Sequence, residues 1–298
     1  MIPASFNYHR PTDLREALRL NAQYGDEAKL LAGGHSLVPT MKLRLQQPEH
    51  MIDLGRVAEL KGISADKTVL RIGAMTTHWE VESSEVVRSS LPILSEVASI
   101  IADPQVRNRG TMGGSVANAD PAADYPASIV ALDPELVCVG ADGERVVRGT
   151  EWFLDLFTTA LEDGEILREI RFPLLPARTA ACYLKLPHPA SRFAVVGVLA
   201  VVTLDESGGC ADARIGITGA ATHATRARRT EEALIGGSLD TEAIEAASRL
   251  APEGLELIQD LHFSAEDRHD LCRVQVQRAL AGAVARARTG AFQPAAGA

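Results

Sequence analysis

The segment TMGGSVANADPAAD, residues 111–124, carries the clearest structural signal in the chain. Its adjacent glycines, Gly113 and Gly114, permit close backbone approach and positive φ, and the flanking hydroxyl and amide groups can form hydrogen bonds. Pro121 prevents a long helix or strand from running through the segment. We therefore predict a loop that grips a ligand.

A second segment of similar chemistry, AGGHS, occupies residues 32–36. It follows a short apolar run, residues 28–31, that we predict to be a strand, and it precedes a predicted helix over residues 37–45. A strand that runs into two glycines and a hydroxyl gathers several backbone N–H groups, as phosphate sites do. Taken alone, the Gly-Gly pair fits a plain tight turn equally well. The simplest interpretation is that both segments close on one large polar ligand.

Positive side chains accompany both segments. Lys42 and Arg44 lie in the predicted helix after the first segment, and Arg107 and Arg109 precede the second. These two arginines could face an anion, but a solvated loop pair is the commoner arrangement. Both interpretations stay open.

Length and composition indicate a globular protein of two or three packed units, since the chain has 298 residues and 46% hydrophobic composition. A formal charge of -9 and a pI near 5.4 argue against nucleic-acid or membrane-surface binding. The first residues lack the pattern of a signal peptide, and the longest apolar run, residues 194–204, is short for a membrane helix. We expect a soluble, cytoplasmic protein whose partners are small molecules or other proteins.

No established catalytic motif is present. The chain lacks a serine elbow, a His-Glu-x-x-His pair, a Walker lysine and a dinucleotide glycine motif. Its four cysteines, Cys138, Cys182, Cys210 and Cys272, are too scattered for a zinc or iron–sulfur site. His35 is either a ligand contact or a structural residue. We predict no catalytic residue and no metal site, so a cofactor supplies the chemistry. The isolated histidines, interpreted as structural or exposed, are His78, His188, His223 and His262.

The remaining pattern predicts helices and strands in mixed order. Helices are predicted between Thr12 and Gly25, from Thr76 to Val87 and over residues 91–101, 227–234, 241–250 and 265–288. Strands are predicted over residues 51–54, 69–74, 136–140, 145–148, 166–172, 181–186, 194–204 and 213–218. The first two of these strands are expected to be sheet neighbours, and Asp142-Gly143 predicts a hairpin. Pro173 and Pro176 mark a domain boundary.

Residues 32–44, AGGHSLVPTMKLR, and residues 111–119, TMGGSVANA, closely resemble the FAD-binding medium subunits of the molybdenum hydroxylases, the family of aerobic carbon monoxide dehydrogenase and xanthine dehydrogenase. The resemblance covers nearly the whole chain. It implies an α+β fold with a two-part FAD-binding domain of the vanillyl-alcohol-oxidase type, followed by a C-terminal flavoprotein domain of a sheet plus helices. The implied divisions are residues 1–176, with subdomains of roughly residues 1–56 and 57–176, then residues 177–288 and a frayed tail over residues 289–298.

The resemblance also implies which residues contact FAD, with both glycine segments at its diphosphate. The implied contacts are Ala32, Gly33, Gly34, His35, Ser36, Leu37, Thr111, Met112, Gly113, Gly114, Ser115, Asn118, Asp120, Asp124, Leu167 and Lys185. Lys185 corresponds to a family lysine that reaches the isoalloxazine side, where its charge would favour the anionic reduced flavin. The alternative for Lys185 is a surface lysine on a strand edge.

Two departures from the family pattern affect different conclusions. Met112 and Ser115 replace residues that relatives often carry, but both replacements are conservative for a backbone cradle. Residues 192–194, Arg-Phe-Ala, stand where many carbon monoxide dehydrogenase medium subunits have Asp-Tyr-Ala. This second departure weakens the carbon monoxide assignment and leaves the FAD assignment intact.

The function implied by the resemblance is that of an oxidoreductase subunit. It takes electrons from an iron–sulfur small subunit and passes them through noncovalently bound FAD to an external acceptor. Iron–sulfur clusters and the molybdenum cofactor are expected on partner chains, the latter on a large subunit, in a dimer of heterotrimers. The expected location is the cytoplasm, at the inner membrane face if the acceptor is a quinone. Two alternatives stay open: a self-sufficient flavin-dependent oxidase, and a structural subunit with a vacant flavin site.

Overall fold

The computed structural model describes residues 2–290. The first strands in the chain form a small parallel sheet. Its strands are β1 (Asn7–His9), β2 (Ala28–Leu31) and β3 (His50–Asp53), in the order β1-β3-β2. Helix α1 (Leu14–Tyr24) connects β1 to β2, and helix α2 (Leu37–Lys42) connects β2 to β3. Asp13 begins α1 by accepting a hydrogen bond from Glu16 N at 2.8 Å. Because the strands are parallel, their carboxyl ends lie at one edge, where residues 32–36 leave the sheet.

A five-stranded antiparallel sheet comes next along the chain. It is built from β4 (Ile63–Ala65), β5 (Val69–Gly73), β6 (Glu135–Gly140), β7 (Gly143–Arg148) and β10 (Ile166–Pro173), in the order β4-β5-β10-β6-β7, and β8 (Phe153–Asp155) pairs with β9 (Thr158–Thr159) beside it. The predicted hairpin at Asp142-Gly143 is confirmed, because β6 and β7 pair as far as Gly140 and Gly143. The helices between β5 and β6 are α3 (His78–Ser83), α4 (Glu85–Ser90), α5 (Pro92–Ser99), α6 (Pro104–Arg107), α7 (Met112–Asn118) and α8 (Tyr125–Leu132).

The last part of the chain forms a four-stranded antiparallel sheet covered by helices. Its strands are β11 (Thr179–Pro187), β12 (Ala194–Leu204), β13 (Cys210–Thr218) and β14 (Thr225–Arg226), in that order. The helices are α9 (Arg228–Leu234), α10 (Thr241–Ser248) and α11 (Ala265–Thr289). Helix α11 ends one residue beyond the prediction, and residues 291–298 of the predicted tail lie outside the described residues. No helix within residues 2–290 combines the length and apolar character needed to cross a membrane.

The position of β12 between two cores explains why its sequence is continuously apolar. Leu199 and Val201 pack into the large core that surrounds α8, whereas Val198 and Ala200 pack into the core beneath α11. Successive side chains of a strand point to opposite faces, so an inner strand between two cores is apolar at every position. The last sheet is therefore packed between α8 on one face and α11 on the other.

Two of the sequence predictions that differ from the structure concern residues 51–87. The predicted helix from Thr76 to Val87 is divided at Ser84, whose hydroxyl accepts a hydrogen bond from Val87 N at 3.3 Å and begins α4. The predicted pairing of residues 51–54 with residues 69–74 is wrong. Strand β3 lies in the parallel sheet, whereas β5 pairs with β4 and β10, because the short β4 occupies the edge beside β5.

Candidate functional site

The first glycine segment leaves its backbone donors open. Within the described residues, no acceptor faces the N–H groups of residues 33–37. Gly34 has a φ of +77°, a left-handed conformation that glycine adopts without strain, and it turns the chain from β2 towards α2. His35 Nδ1 lies 3.0 Å from Gly33 O and closes this turn. Consecutive open N–H groups in such a turn form a concave site for phosphate oxygens.

The second glycine segment is helical where the sequence predicts a loop. Thr111 begins α7, and its hydroxyl accepts a hydrogen bond from Gly114 N at 3.1 Å. Met112 N donates to Thr76 O and Gly113 N donates to Ala74 O, both at 2.9 Å. The N–H groups of residues 112–115 therefore have acceptors inside the protein and do not form an open backbone cradle. That residues 111–115 contact the ligand stays a prediction.

One face of α7 still offers polar side chains. Ser115 and Asn118 are three residues apart, so they share a helix face, and both are half-buried with no side-chain hydrogen bond among the described residues. Met112 and Val116, on another face, are completely buried in the core. The Met112 side chain, predicted as a contact, therefore packs inside the protein.

The two glycine segments lie against each other. A Cβ added to Gly33 would lie 2.6 Å from Gly110 Cα, and a Cβ added to Gly114 would lie 3.2 Å from the Cβ of Ala32. Such separations are too short or too tight for an added side chain, so glycine permits this close approach. The first segment consequently lies against the first turn of α7 and the residues just before it.

A cleft of about 370 Å³ opens at the first segment, between β2, α2 and the chain before α7. Lys42 and Arg109 line it, and neither forms an ion pair within residues 2–290. Arg107, by contrast, is paired with Glu82 at 2.8 Å. The sequence places Lys42 and Arg109 near the glycine segments but does not assign them to the site, because a charged residue in a loop or helix can equally be solvated.

Asp53 is the acidic residue that lines the same cleft. Its carboxylate accepts a hydrogen bond from Gly55 N at 2.8 Å, contacts the Tyr8 hydroxyl and lies 3.4 Å from Arg10. These partners balance its negative charge, so the cleft as a whole favours an anion.

A buried ion pair lies where the two halves of the chain meet. Lys185 Nζ, on β11, is 2.9 Å from the Asp124 carboxylate, and the Tyr183 hydroxyl donates to the same carboxylate at 2.7 Å. Lys185 also donates to Arg192 O at 3.0 Å. Burial raises the pKa of Asp124, while Lys185 and Tyr183 act in the opposite direction. The Lys185 side chain is only 3% exposed, which excludes the surface-lysine alternative.

The ion pair with Asp124 also weakens the electrostatic effect of Lys185 on groups farther away. Because an ammonium beside a carboxylate has little net charge at a distance, Lys185 attracts a reduced flavin less than an unpaired lysine would.

Backbone hydrogen bonds from the last sheet hold the chain between α7 and α8 in place. Gly219 N donates to Pro121 O at 2.6 Å, and Ala194 N donates to Ala122 O at 3.0 Å.

The remaining predicted contacts occupy three different environments. Asp120 is half-buried, its pKa is raised by burial, and it accepts a hydrogen bond from Ala122 N at 2.9 Å. Leu167, on β10, is 4% exposed and its side chain belongs to the main core. Leu37 is half-buried and contributes one of the open N–H groups of the first segment.

Two family models together match most of the chain. The model described as "FAD binding domain in molybdopterin dehydrogenase" matches residues 4–175. The model described as "CO dehydrogenase flavoprotein C-terminal domain" matches residues 181–283.

Similar proteins match over nearly their full lengths. The carbon monoxide dehydrogenase medium chain of Hydrogenophaga pseudoflava is 41% identical over 286 residues, which cover 96% of this chain and 99% of that protein. The 6-hydroxypseudooxynicotine dehydrogenase complex subunit alpha of Paenarthrobacter nicotinovorans is 39% identical, over 97% of each chain.

Solved structures share the fold. A chain of the carbon monoxide dehydrogenase from Hydrogenophaga pseudoflava gives a TM-score of 0.93 at 43% identity, covering 96% of this chain and 99% of that one. A chain of quinoline 2-oxidoreductase from Pseudomonas putida 86 gives 0.90 at 33% identity, covering 96% and 99%.

Proposed function

The chain belongs to the FAD-binding medium subunits of the molybdenum hydroxylases, and on that premise we propose that it passes electrons from an iron–sulfur partner subunit, through FAD, to an external acceptor. Bound FAD can accept electrons one at a time and release them in pairs, which suits a junction between iron–sulfur centres and a two-electron acceptor. The protein binds and orients the cofactor, and the substrate that the complex oxidises binds on another subunit.

The observation that carries this proposal is the row of open N–H groups at residues 33–37. Five donors beside the unpaired Lys42 and Arg109 suit the negative diphosphate of FAD. The contact between Gly33 and the backbone of residues 109–110 leaves no room for a side chain, so the close approach of the two glycine segments at the donors depends on glycine at this position. The donor set therefore fits the cofactor that the family binds.

The other predicted contacts extend from the diphosphate site towards the domain junction. We assign Ser115, Asn118 and Asp120 to hydrogen bonds with the polar parts of the cofactor, since their side chains retain unused donors or acceptors. Asp124 and Lys185 form the buried pair at the junction, and their role is to hold β11 against the chain before α8. The division of the chain near residue 176 remains a prediction.

The cysteines support placing the iron–sulfur clusters on a partner chain. All four are buried, and none belongs to a metal-binding group in the described part of the chain. Burial raises the pKa of Cys138 and Cys272 to about 12, and of Cys182 and Cys210 to about 11. Such thiols are protonated at neutral pH when no metal is bound.

We extend the proposal to the assembly and its location. An iron–sulfur small subunit and a molybdenum large subunit complete a heterotrimer that dimerises in the cytoplasm, and a quinone acceptor would bring it to the inner membrane face. Co-purification and cell fractionation test these two points.

Cofactor analysis and turnover test the electron-transfer role. The isolated chain should contain about one FAD, and acid precipitation should release that FAD into the supernatant. It should oxidise no aldehyde, N-heterocycle or carbon monoxide until both partner subunits are added. A folded chain that binds no FAD would favour the structural-subunit alternative. Robust turnover by the isolated chain would instead favour the self-sufficient oxidase.

A further inference from the structure

A group of potential metal ligands lies at the amino-terminal edge of the parallel sheet. One ligand atom each from Glu27, Glu49 and His50 lies within 4.8 Å of the others. Glu27 directly precedes β2, and Glu49 directly precedes His50, the first residue of β3. The backbone holds these positions together, because Glu49 N donates to Glu27 O at 2.9 Å.

The two carboxylates are free to bind a cation. Both are exposed, and neither forms a side-chain hydrogen bond or an ion pair within residues 2–290. Two neighbouring negative charges without a positive partner repel each other, and a bound cation would remove that repulsion. Metal–oxygen and metal–imidazole bonds of about 2.0–2.2 Å place tetrahedral ligand atoms about 3.4 Å apart. Ligand atoms up to 4.8 Å apart must therefore move together by as much as about 1.4 Å, which rotation of the exposed glutamate side chains permits.

His50 is held in an orientation suited to a ligand. Its Nδ1 lies 2.9 Å from His9 Nε2, and its ring stacks on Tyr24 with a centroid separation of 3.7 Å. One imidazole must donate in this hydrogen bond. When His50 Nδ1–H is the donor, its Nε2 carries a free lone pair. Imidazoles that bind metals commonly donate their second nitrogen to such a partner, which fixes the tautomer.

We propose that Glu27, Glu49 and His50 bind one divalent transition metal ion, with His9 as a positioning residue for the His50 imidazole. Imidazole nitrogen favours Zn²⁺, Co²⁺ or Ni²⁺ over Mg²⁺, which prefers oxygen ligands. The ion would tie the start of β2 to the start of β3. The glycine segment leaves the opposite edge of this sheet, so the metal site is separate from the proposed FAD site.

Calorimetric titration of untagged full-length protein with ZnCl₂, before and after removal of bound flavin, tests the proposal. We expect one Zn²⁺ per chain in both states and no measurable binding of MgCl₂. Binding that requires FAD would overturn the separate site, and equal affinity for Mg²⁺ would overturn the role of the imidazole.

Variants identify the ligands. Glu49→Gln changes an exposed side chain, so the protein should fold normally while its Zn²⁺ affinity falls by more than tenfold, and His50→Ala should abolish binding. His9→Phe keeps an aromatic ring but removes the hydrogen bond, and should weaken Zn²⁺ binding about 10- to 100-fold. His269→Ala is the matched control, because His269 lies 3.3 Å from a single carboxylate, that of Asp270. Unchanged affinity in Glu49→Gln and His50→Ala, or a loss of affinity in His269→Ala, would overturn the assignment.

Discussion

At the scale of single residues, the structure distinguishes groups that look alike in the sequence. Arg107 and Arg109 are two residues apart, yet Arg107 is paired with Glu82 while Arg109 lines the cleft. Lys185 lies on an edge strand, where lysine is commonly exposed, but it is buried against Asp124. Sequence chemistry predicted the open N–H groups near Gly34. It could not predict the partners of charged side chains, because those partners are distant in the chain.

Replacement of Gly33 by alanine should weaken FAD binding. The new Cβ would lie 2.6 Å from Gly110 Cα, so the two segments would have to separate. Overpacking costs about 1–3 kcal/mol. If the binding free energy of FAD falls by this amount, the FAD Kd rises about 5- to 150-fold. Fluorescence titration of stripped protein measures this change. Gly140→Ala is the control, since its Cβ would meet only the Glu165 side chain, at 3.2 Å, and no backbone atom. Equal affinities in both variants would contradict the importance of the close approach.

His78 should make stability fall in mild acid. Burial lowers the pKa of His78 to about 4, and His35 and Arg107 act in the same direction. The unfolded imidazole has a pKa near 6.5, so between these values the unfolded chain binds a proton that the folded chain does not. The His78 contribution is therefore present above pH 6.5 and is lost as the pH falls, by up to about 3 kcal/mol at pH 4.

Urea denaturation at pH 7.5 and pH 5 measures this loss. His78→Phe keeps an aromatic ring beside Tyr125, whose centroid lies 5.4 Å away, and removes the titrating group. The variant should lose less stability than the parent between the two pH values. Equal losses in both proteins would assign the acid sensitivity to other residues.

At the scale of elements, the sequence predicted the long strands and helices well and the short buried ones poorly. Helix α8 was missed because all eight of its residues are buried, so it has no polar face to produce a helical period. Helix α7 was interpreted as a loop because Gly113 and Gly114 disfavour a helix. Carbonyl groups of Ala74 and Thr76, far away in sequence, accept its first N–H groups and stabilise it.

The Thr111 cap offers a test at this scale. Thr111→Val keeps the shape of the buried side chain but removes the acceptor of Gly114 N, and should lower the free energy of unfolding by about 1 kcal/mol. Because α7 carries Ser115 and Asn118, FAD affinity should fall as well. Thr111→Ser retains the hydroxyl and should preserve both properties. Chemical denaturation and flavin titration of the two variants provide the comparison, and a stable Thr111→Val protein would show that the cap is dispensable.

At the scale of the whole molecule, polar contacts join the two halves of the chain. Besides the pair of Asp124 and Lys185, Arg286 of α11 lies 3.0 Å from Glu96 of α5 and donates to Ala181 O at 2.6 Å. The prolines near residue 176 predicted a boundary here. They gave no indication of how firmly the two sides would be joined, because these contacts depend on the packed arrangement of distant elements.

The buried pair of Asp124 and Lys185 should contribute more to the stability of this junction than an exposed ion pair does. Lys185→Met leaves the Asp124 carboxylate buried without its cation, which typically costs about 3–5 kcal/mol, and adding Asp124→Asn should recover part of that loss. Urea denaturation of the single and double variants gives the coupling energy. Arg249→Met, which breaks an exposed pair with Glu245, should cost less than about 1 kcal/mol. A cost for Lys185→Met no larger than this control would mean that the junction does not depend on the pair.

The amides of Ala194 and Gly219 donate hydrogen bonds to the chain before α8, so their hydrogen exchange should report separation of the two domains. Their acceptors, Ala122 O and Pro121 O, belong to the other half of the molecule, so both hydrogen bonds break when the two halves separate. In deuterated water these two amides should exchange slowly and together, at the rate set by opening of the junction. Bound FAD should slow both by the same factor if it spans the junction. Nuclear magnetic resonance at these two positions would follow that opening in solution.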